Sequence, residues 1–265
     1  MGKRKVSFGR AIIFAAVLWL AGIRCAAEVC FVQISDLHIK DQASAAFVAR
    51  AVDWLNDPRT FGNHKPAFIA ITGDLSNKGT KAELQLCRVT LSKLKLPWYV
   101  IPGNHDVIAH GRPCDFDKVF PNSNRYTVEV GGYRFLFDSG SMNALTDAKN
   151  PSFGKWLQSQ LSSAPANTRF VVFTHYPYGK NAPHCVNGRL RELVVNAMKK
   201  RRVLAVLSGH SHADSTVFEN GVIFKTIPCL SSWRHNRRGV PGKVAALYVV
   251  DGDKVSMAYL RMPGT

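Results

Sequence analysis

Five times in this chain a short apolar run ends in a polar cluster drawn from Asp, Asn and His. Val29 to Ser35 lead into Asp36-Leu37-His38, Phe68 to Thr72 into Gly73-Asp74, and Trp98 to Ile101, through Pro102, into Gly103-Asn104-His105-Asp106. Phe170 to Thr174 lead into His175, and Val203 to Ser208 into Gly209-His210-Ser211-His212. Short apolar runs bounded by turn formers read as buried strands. Between them, 43–55 carries Phe47, Val48, Ala51, Val52 and Leu55 at helical spacing, and 81–94 and 190–200 read as further helices. In sheets with helical crossovers, the carboxyl ends of the strands lie on a shared edge where sites are built. The chain is therefore expected to bring carboxylate, amide and imidazole groups from separate strands to one edge.

The middle and the tail add antiparallel pairing. Arg125 to Val130 and Tyr133 to Asp138 flank Gly131-Gly132 as a hairpin, and Gly252-Asp253 joins Val244 to Val250 with Lys254 to Leu260. With Val222 to Ile227, those late strands are expected to form a second layer of sheet, and 151–161 a helix. A chain of 265 residues, 46% of them apolar, supports one substantial α/β core. Ahead of it, Lys3, Arg4, Lys5 and Arg10 precede the apolar stretch Ala11 to Ile23, and Cys25-Ala26-Ala27 offers small residues for cleavage. That stretch has the length of a signal-peptide core and is short for a membrane span. We expect a signal peptide over 1–27, with an uncleaved membrane anchor as the alternative, a catalytic domain over 28–265, and a secreted or periplasmic location.

Carboxylates mixed with imidazoles suit transition metals such as Mn, Fe or Zn rather than Ca, which takes oxygen alone. In Asp36-x-His38 and His210-x-His212, residues two apart on a strand point the same way, so each pair reads as a chelate. Glycine at 73, 103 and 209 lets the chain turn off a strand and approach a ligand closely. A single Asp or His at a strand end is most often a turn or capping residue. Five such clusters, each behind a strand, are not explained that way.

Taken in order, the motifs resemble those of the calcineurin-like metallophosphoesterases, D-x-H, G-D, G-N-H-D/E, H and G-H-x-H, over Phe31 to His212. Within that superfamily the chain resembles the small bacterial cyclic-nucleotide phosphodiesterase-like group, because Asp106 stands where protein phosphatases commonly have Glu. The phosphatase motif G-D-x-x-D-R-G reads here as Gly73-Asp74-Leu75-Ser76-Asn77-Lys78-Gly79. That departure removes the carboxylate that would orient His105 and speaks against a Ser/Thr protein phosphatase. The resemblance implies an α/β fold with two mixed β-sheets in a sandwich flanked by helices. It implies one metal ion held by Asp36, His38 and His212, a second held by Asn104, His175 and His210, and Asp74 bridging the two. A bridging hydroxide would be the nucleophile, and His105 would protonate the leaving oxygen or steady the phosphoryl group. Asp106 would support its neighbours rather than bind metal.

The net charge of +17 favours anionic partners. The expected activity is hydrolysis of a small anionic phosphodiester or phosphomonoester. Two alternatives are a metal-dependent nuclease that tracks nucleic acid along a basic surface and a metal-binding scaffold without turnover. The scaffold is disfavoured because no ligand position is missing and His105 is kept. The H-E-x-x-H string of zinc peptidases is absent. Trp233 to Gly239, dense in cations, reads as a solvated basic loop, a grip on substrate phosphate being the other reading. Tyr176 follows His175 and either stacks on a base or only packs. Lys199 to Arg202 ends a helix, where cations suit the dipole, and His64, His110, His184 and His235 carry no motif. Six cysteines allow one or two disulfides, whose pairing the sequence does not specify.

Overall fold

The structure is a computed structural model that describes residues 27–109, 112–113, 115–140, 152–237 and 243–264. All but the last residue of the expected leader lies outside them, as do His110, Cys114, Arg238 and Gly239.

Two mixed sheets pack face to face. One contains β1 (Val29–Ile34), β2 (Ile69–Thr72), β3 (Trp98–Ile101), β12 (Val244–Asp251) and β13 (Lys254–Arg261), in spatial order β13-β12-β1-β2-β3. The other contains β6 (Arg125–Val130), β7 (Tyr133–Asp138), β8 (Arg169–Phe173), β9 (Arg202–Ser208), β10 (Ser215–Glu219) and β11 (Val222–Thr226), in order β10-β11-β9-β8-β7-β6. Strands β1, β2 and β3 run parallel, as do β7, β8, β9 and β11. Strands β12, β13, β6 and β10 each pair antiparallel with a neighbour. A small ribbon pairs β4 (Ile108–Ala109) with β5 (Arg112–Pro113).

Alternation along the strands divides the core into three layers of apolar contact. From β1, Phe31 points between the sheets, its ring centroid 5.1 Å from those of both Phe68 and Tyr248, with Phe135 and Phe173 beside it. Cys30, Val32 and Ile34 face the other way, into the layer that takes in α1 (Gln42–Asn56) and α2 (Lys81–Leu91). Short helices α3 (Asn104–Val107) and α4 (Phe116–Val119) follow β3, and α5 (Ser152–Ser163) and α6 (Gly188–Met198) cover Leu136, Phe170 and Val172 on the outer face of the second sheet. Strands covered on both faces need apolar residues throughout, which accounts for the unbroken runs in the sequence. Gln33 helps tie the sheets together. It donates to Thr72 Oγ1 (3.0 Å) and to the Ser208 carbonyl (3.2 Å), and it accepts from the Tyr248 hydroxyl (3.0 Å). It therefore fixes the carboxyl ends of β1, β2 and β9 relative to one another.

The tail departs from expectation. It does not form a second layer as a unit. Strand β11 joins the second sheet, whereas β12 lies against β1 in the first, with Val29 opposite Val250. Ala245 and Leu247 of β12 pack toward the helices while Ala246, Tyr248 and Val250 pack between the sheets, so this strand needs a central place. Among the described residues Cys30, Cys87, Cys185 and Cys229 are unpaired, and no helix is long and apolar enough to cross a membrane.

Candidate metal centre

The carboxyl ends of both sheets meet at one edge, and the five motifs lie there. The residues are not presented by strand alternation as the two-apart spacing suggests. Asp36, His38, Asp74, His210 and His212 all have left-handed backbone, with φ of 57°, 47°, 51°, 67° and 49°. Non-glycine residues in this region cost roughly 1–2 kcal/mol each. Here the turns are held by backbone hydrogen bonds between motifs: Asp36 N to Gly73 O (3.0 Å), His38 N to Asp74 O (2.9 Å) and Gly209 N to His175 O (3.0 Å). The glycines are required for close approach. A Cβ at Gly103 would lie 2.1 Å from Asp74 Oδ1, and one at Gly209 would lie 2.4 Å from Asp36 Oδ2.

Three sets of side chains have donor atoms within 4.8 Å of one another: Asp36, His38 and His212; Asp74, His175 and His210; and His38, Asp74 and His105. His38 Nε2 lies 3.1 Å from His212 Nε2, and Asp36 Oδ1 lies 3.5 Å from His212 Nε2. Asn104 Oδ1 lies 3.1 Å from His175 Nε2 and 3.0 Å from His210 Nδ1. Asp74 stands between the groups, with Oδ2 3.7 Å from His38 Nε2 and Oδ1 3.4 Å from His175 Nε2.

These residues fit divalent cations. His175 Nδ1 faces the Thr72 carbonyl at 2.8 Å, and a carbonyl only accepts, so Nδ1 carries hydrogen. In the neutral ring Nε2 then presents a lone pair to the oxygens of Asn104 and Asp74. Three acceptors converging on one point need a proton or a metal ion between them. The acid–base balance shows the same demand. Burial disfavours charge on His175, but Asp74 outweighs it and pushes the ring up to about 9. His212, also opposed by burial, is pushed up to about 10 by hydrogen bonds to Asp36 and Cys229. Burial lowers His38 to about 4 and His210 to about 3, the latter also feeling His175. Burial works against the Asp74 carboxylate, yet His175 and His38 hold it well below the usual range.

His105 donates its backbone N–H to Asp74 Oδ1 (2.9 Å), and its ring centroid lies 4.8 Å from that of His38. The carboxylate missing at Asn77 is replaced by that residue's own backbone: His105 Nδ1 lies 2.6 Å from Asn77 O. Asp106 is fully buried and accepts from Leu75 N (3.0 Å), Ser76 N (2.8 Å), Ser76 Oγ (2.8 Å) and Gly103 N (2.9 Å). These four bonds occupy its oxygens and clamp the Asp74 turn to the Asn104 turn.

The described part of the 233–239 loop is only partly solvated: His235 and Arg237 are exposed, but other groups of the loop are tied to the site. Trp233 Nε1 donates to His38 O (2.9 Å), Arg234 Nη2 to Asn77 Oδ1 (3.2 Å) and Arg237 N to His212 O (2.9 Å). Arg237 Nη2 also donates to His184 Nε2 (2.7 Å), and the His184 ring lies 5.7 Å from that of His210. Tyr176 packs against His210 with centroids 4.4 Å apart. His184 carried no sequence signal, because it comes from a loop with no motif. Arg201 donates to the Ser162 and Ala164 carbonyls and Arg202 pairs with Asp253, so that cluster serves the fold.

The family of calcineurin-like phosphoesterases matches residues 31–214. The chain is 28% identical over 217 residues to "Probable glycerophosphodiester phosphodiesterase GpdQ" of Arcobacter nitrofigilis, covering 74% of this chain and 76% of that one. It is 26% identical over 191 residues to a 3',5'-cyclic-nucleotide phosphodiesterase of Nostoc sp., covering 69% of this chain and 71% of that one. The fold is similar to that of a purple acid phosphatase from yellow lupin, with a TM-score of 0.61 and 12% identity over 89% of this chain. The chain spans about half of the lupin protein, 52% of its length. It belongs to the calcineurin-like phosphoesterases, metal-dependent hydrolases that use a dinuclear centre.

Proposed function

We propose that this calcineurin-like phosphoesterase hydrolyses small phosphodiesters, with Asp36, His38 and His212 holding one divalent ion, Asn104, His175 and His210 a second, and Asp74 bridging them. The observation that carries this reading is the division of the Asp74 carboxylate, one oxygen toward His38 and the other toward His175. Bound there, two ions would supply an acidified water and neutralise charge on the phosphoryl oxygens. The mixed imidazole and carboxylate donors suit Mn, Fe or Zn.

The chain's own residues do the remaining work. The Asn77 carbonyl keeps hydrogen on His105 Nδ1, so a proton carried on Nε2 is the one available to a leaving oxygen. The His105 backbone N–H on Asp74 holds that ring beside the bridging carboxylate. Asp106 keeps the two turns in register through its four hydrogen bonds. Relatives named for diester hydrolysis support a diester over a monoester. The basic and apolar leader supports action outside the cytoplasm.

The test compares hydrolysis of bis-p-nitrophenyl phosphate and p-nitrophenyl phosphate by Mn²⁺-loaded protein. The expected result is a higher kcat/KM on the diester, abolished by chelation, with His105→Ala lowering kcat about 10²- to 10⁴-fold. Preference for the monoester would overturn the diester assignment, and metal-independent turnover would overturn the whole reading.

A further inference from the structure

Beside His38 and Asn77 lies a group of side chains that the hydrolytic reading does not use. Trp233 is fixed by its bond to the His38 carbonyl, and two cations contact its ring: Lys40 Nζ at 4.2 Å and the Arg234 guanidinium at 4.5 Å from the centroid. Cations stack on indole because its face is electron-rich, but the ring does not neutralise them. Among the described residues neither cation forms an ion pair with a carboxylate, and the Asp41 carboxylate next to Lys40 is exposed and feels that charge only through solvent. Arg234 is half-buried, and its Nε is buried without a hydrogen-bond partner. Two cations on one indole ring, neither in an ion pair with a carboxylate, favour an anion within reach of their donors.

Asn77 sets the position of this group relative to the reaction. Its backbone oxygen holds His105 Nδ1 and its side-chain oxygen holds Arg234 Nη2. The guanidinium is therefore one residue away from the ring that faces the leaving oxygen. We propose that Lys40, Trp233 and Arg234 form an anion subsite for the leaving group, and that the preferred substrates are diesters whose leaving alcohol carries a second oxyanion, a carboxylate or a phosphate. Because both cations already engage the indole, the subsite reads charge rather than stacking with a base. This inference rests on the phosphodiesterase reading above.

The test uses three methyl aryl phosphodiesters that differ only in the para group of the phenol: neutral carbamoyl, carboxylate and phosphonate. On Mn²⁺-loaded wild type the charged esters are expected to show a KM about ten-fold below the neutral one, as for a charge-assisted hydrogen bond. The ratio is expected to collapse toward one in Arg234→Gln and in Lys40→Gln, and to be partly restored in Arg234→Lys. General damage to the fold lowers turnover of all three esters and leaves the ratio in place. Comparing carboxylate with phosphonate tells which oxyanion is preferred. Calorimetric titration of the same compounds into His105→Ala gives the ratio of affinities without relying on turnover. A ratio near one in wild type, or a ratio unaltered in both glutamine variants, overturns the subsite. Absence of turnover for every ester overturns the hydrolytic reading instead, and the calorimetric ratio still decides on the subsite.

Discussion

Replacing Gly209 by alanine should damage the centre through a single methyl group. The added Cβ would lie 1.9 Å from Ser35 Oγ and 2.4 Å from Asp36 Oδ2, and it has no left-handed backbone strain to add. Normal contact requires these atoms to retreat by about 1 Å or more. Ser35 is not free to rotate, because its hydroxyl donates to the Thr72 carbonyl at 3.1 Å in the buried interior. Nor is Asp36, whose carboxylate accepts from His210 N at 3.0 Å. Overpacking costs about 1–3 kcal/mol, and a strained buried hydrogen bond about 1 more. We expect Gly209→Ala to lose about 2–4 kcal/mol, a fall in Tm of roughly 5–15 °C for a domain of this size. The control is Gly252→Ala at the β12–β13 turn, where φ is +57° and no atom lies within 4 Å of the Cβ. There only the torsional cost of about 1–2 kcal/mol applies. Calorimetric melting measures stability, and elemental analysis measures bound metal per chain. Gly209→Ala should bind fewer ions than wild type while Gly252→Ala binds as many. Full metal content in Gly209→Ala, with a Tm no lower than that of the control, would refute the packing of Gly209 against Asp36.

Asp106→Asn should cost about 2–4 kcal/mol by urea denaturation, because an amide NH₂ is turned toward backbone donors that the carboxylate now accepts; a change under about 0.5 kcal/mol would contradict that role. The metal-free protein should lose stability as pH rises above 6.5 toward 10. His175 and His212 are raised from 6.5 to about 9 and about 10, so the stability they contribute is fully present below pH 6.5 and is lost through those folded values. The same protons must leave when metal binds, so Mn²⁺ affinity should weaken as pH falls from 9 toward 6. Thermal melts of chelated protein check the first trend, and titrations in buffers of different ionisation enthalpy check the second; no pH dependence in either would oppose the assignment.

Much of this was legible in the sequence because burial on both faces leaves unbroken apolar runs. The parallel strands β1, β2, β3, β8 and β9 could be read within a residue or two of their ends. Strand β10 has little signal in the sequence. It is an edge strand with alternate residues exposed, Phe218 among them, and only its Asn220-Gly221 turn, with φ of 52° and 79°, marked it. Apolarity shows that β12 is buried but not which sheet receives it, since its partner is set by packing across 215 residues, as between Gln33 and Tyr248. The motif residues gather at one edge as their order behind successive strands suggests, yet the left-handed turns at Asp36 and His210 are not written in residue type or spacing. Nor is the orienting partner of His105, because a backbone carbonyl such as that of Asn77 can come from any residue. The loop bearing Trp233 and Arg234 looked like surface charge because only tertiary contacts bring it to His38 and Asn77.

The bridging role of Asp74 is tested most directly by electron paramagnetic resonance of the Mn²⁺-loaded protein, with metal counted per chain. Two ions sharing one carboxylate should give an exchange-coupled spectrum at a stoichiometry of about two per chain in wild type. Asp74→Asn should reduce this to about one ion or none, with the six-line pattern of isolated Mn²⁺. A wild-type protein that hydrolyses diesters with a single uncoupled ion, or an Asp74→Asn variant that keeps the coupled pair, would contradict the account.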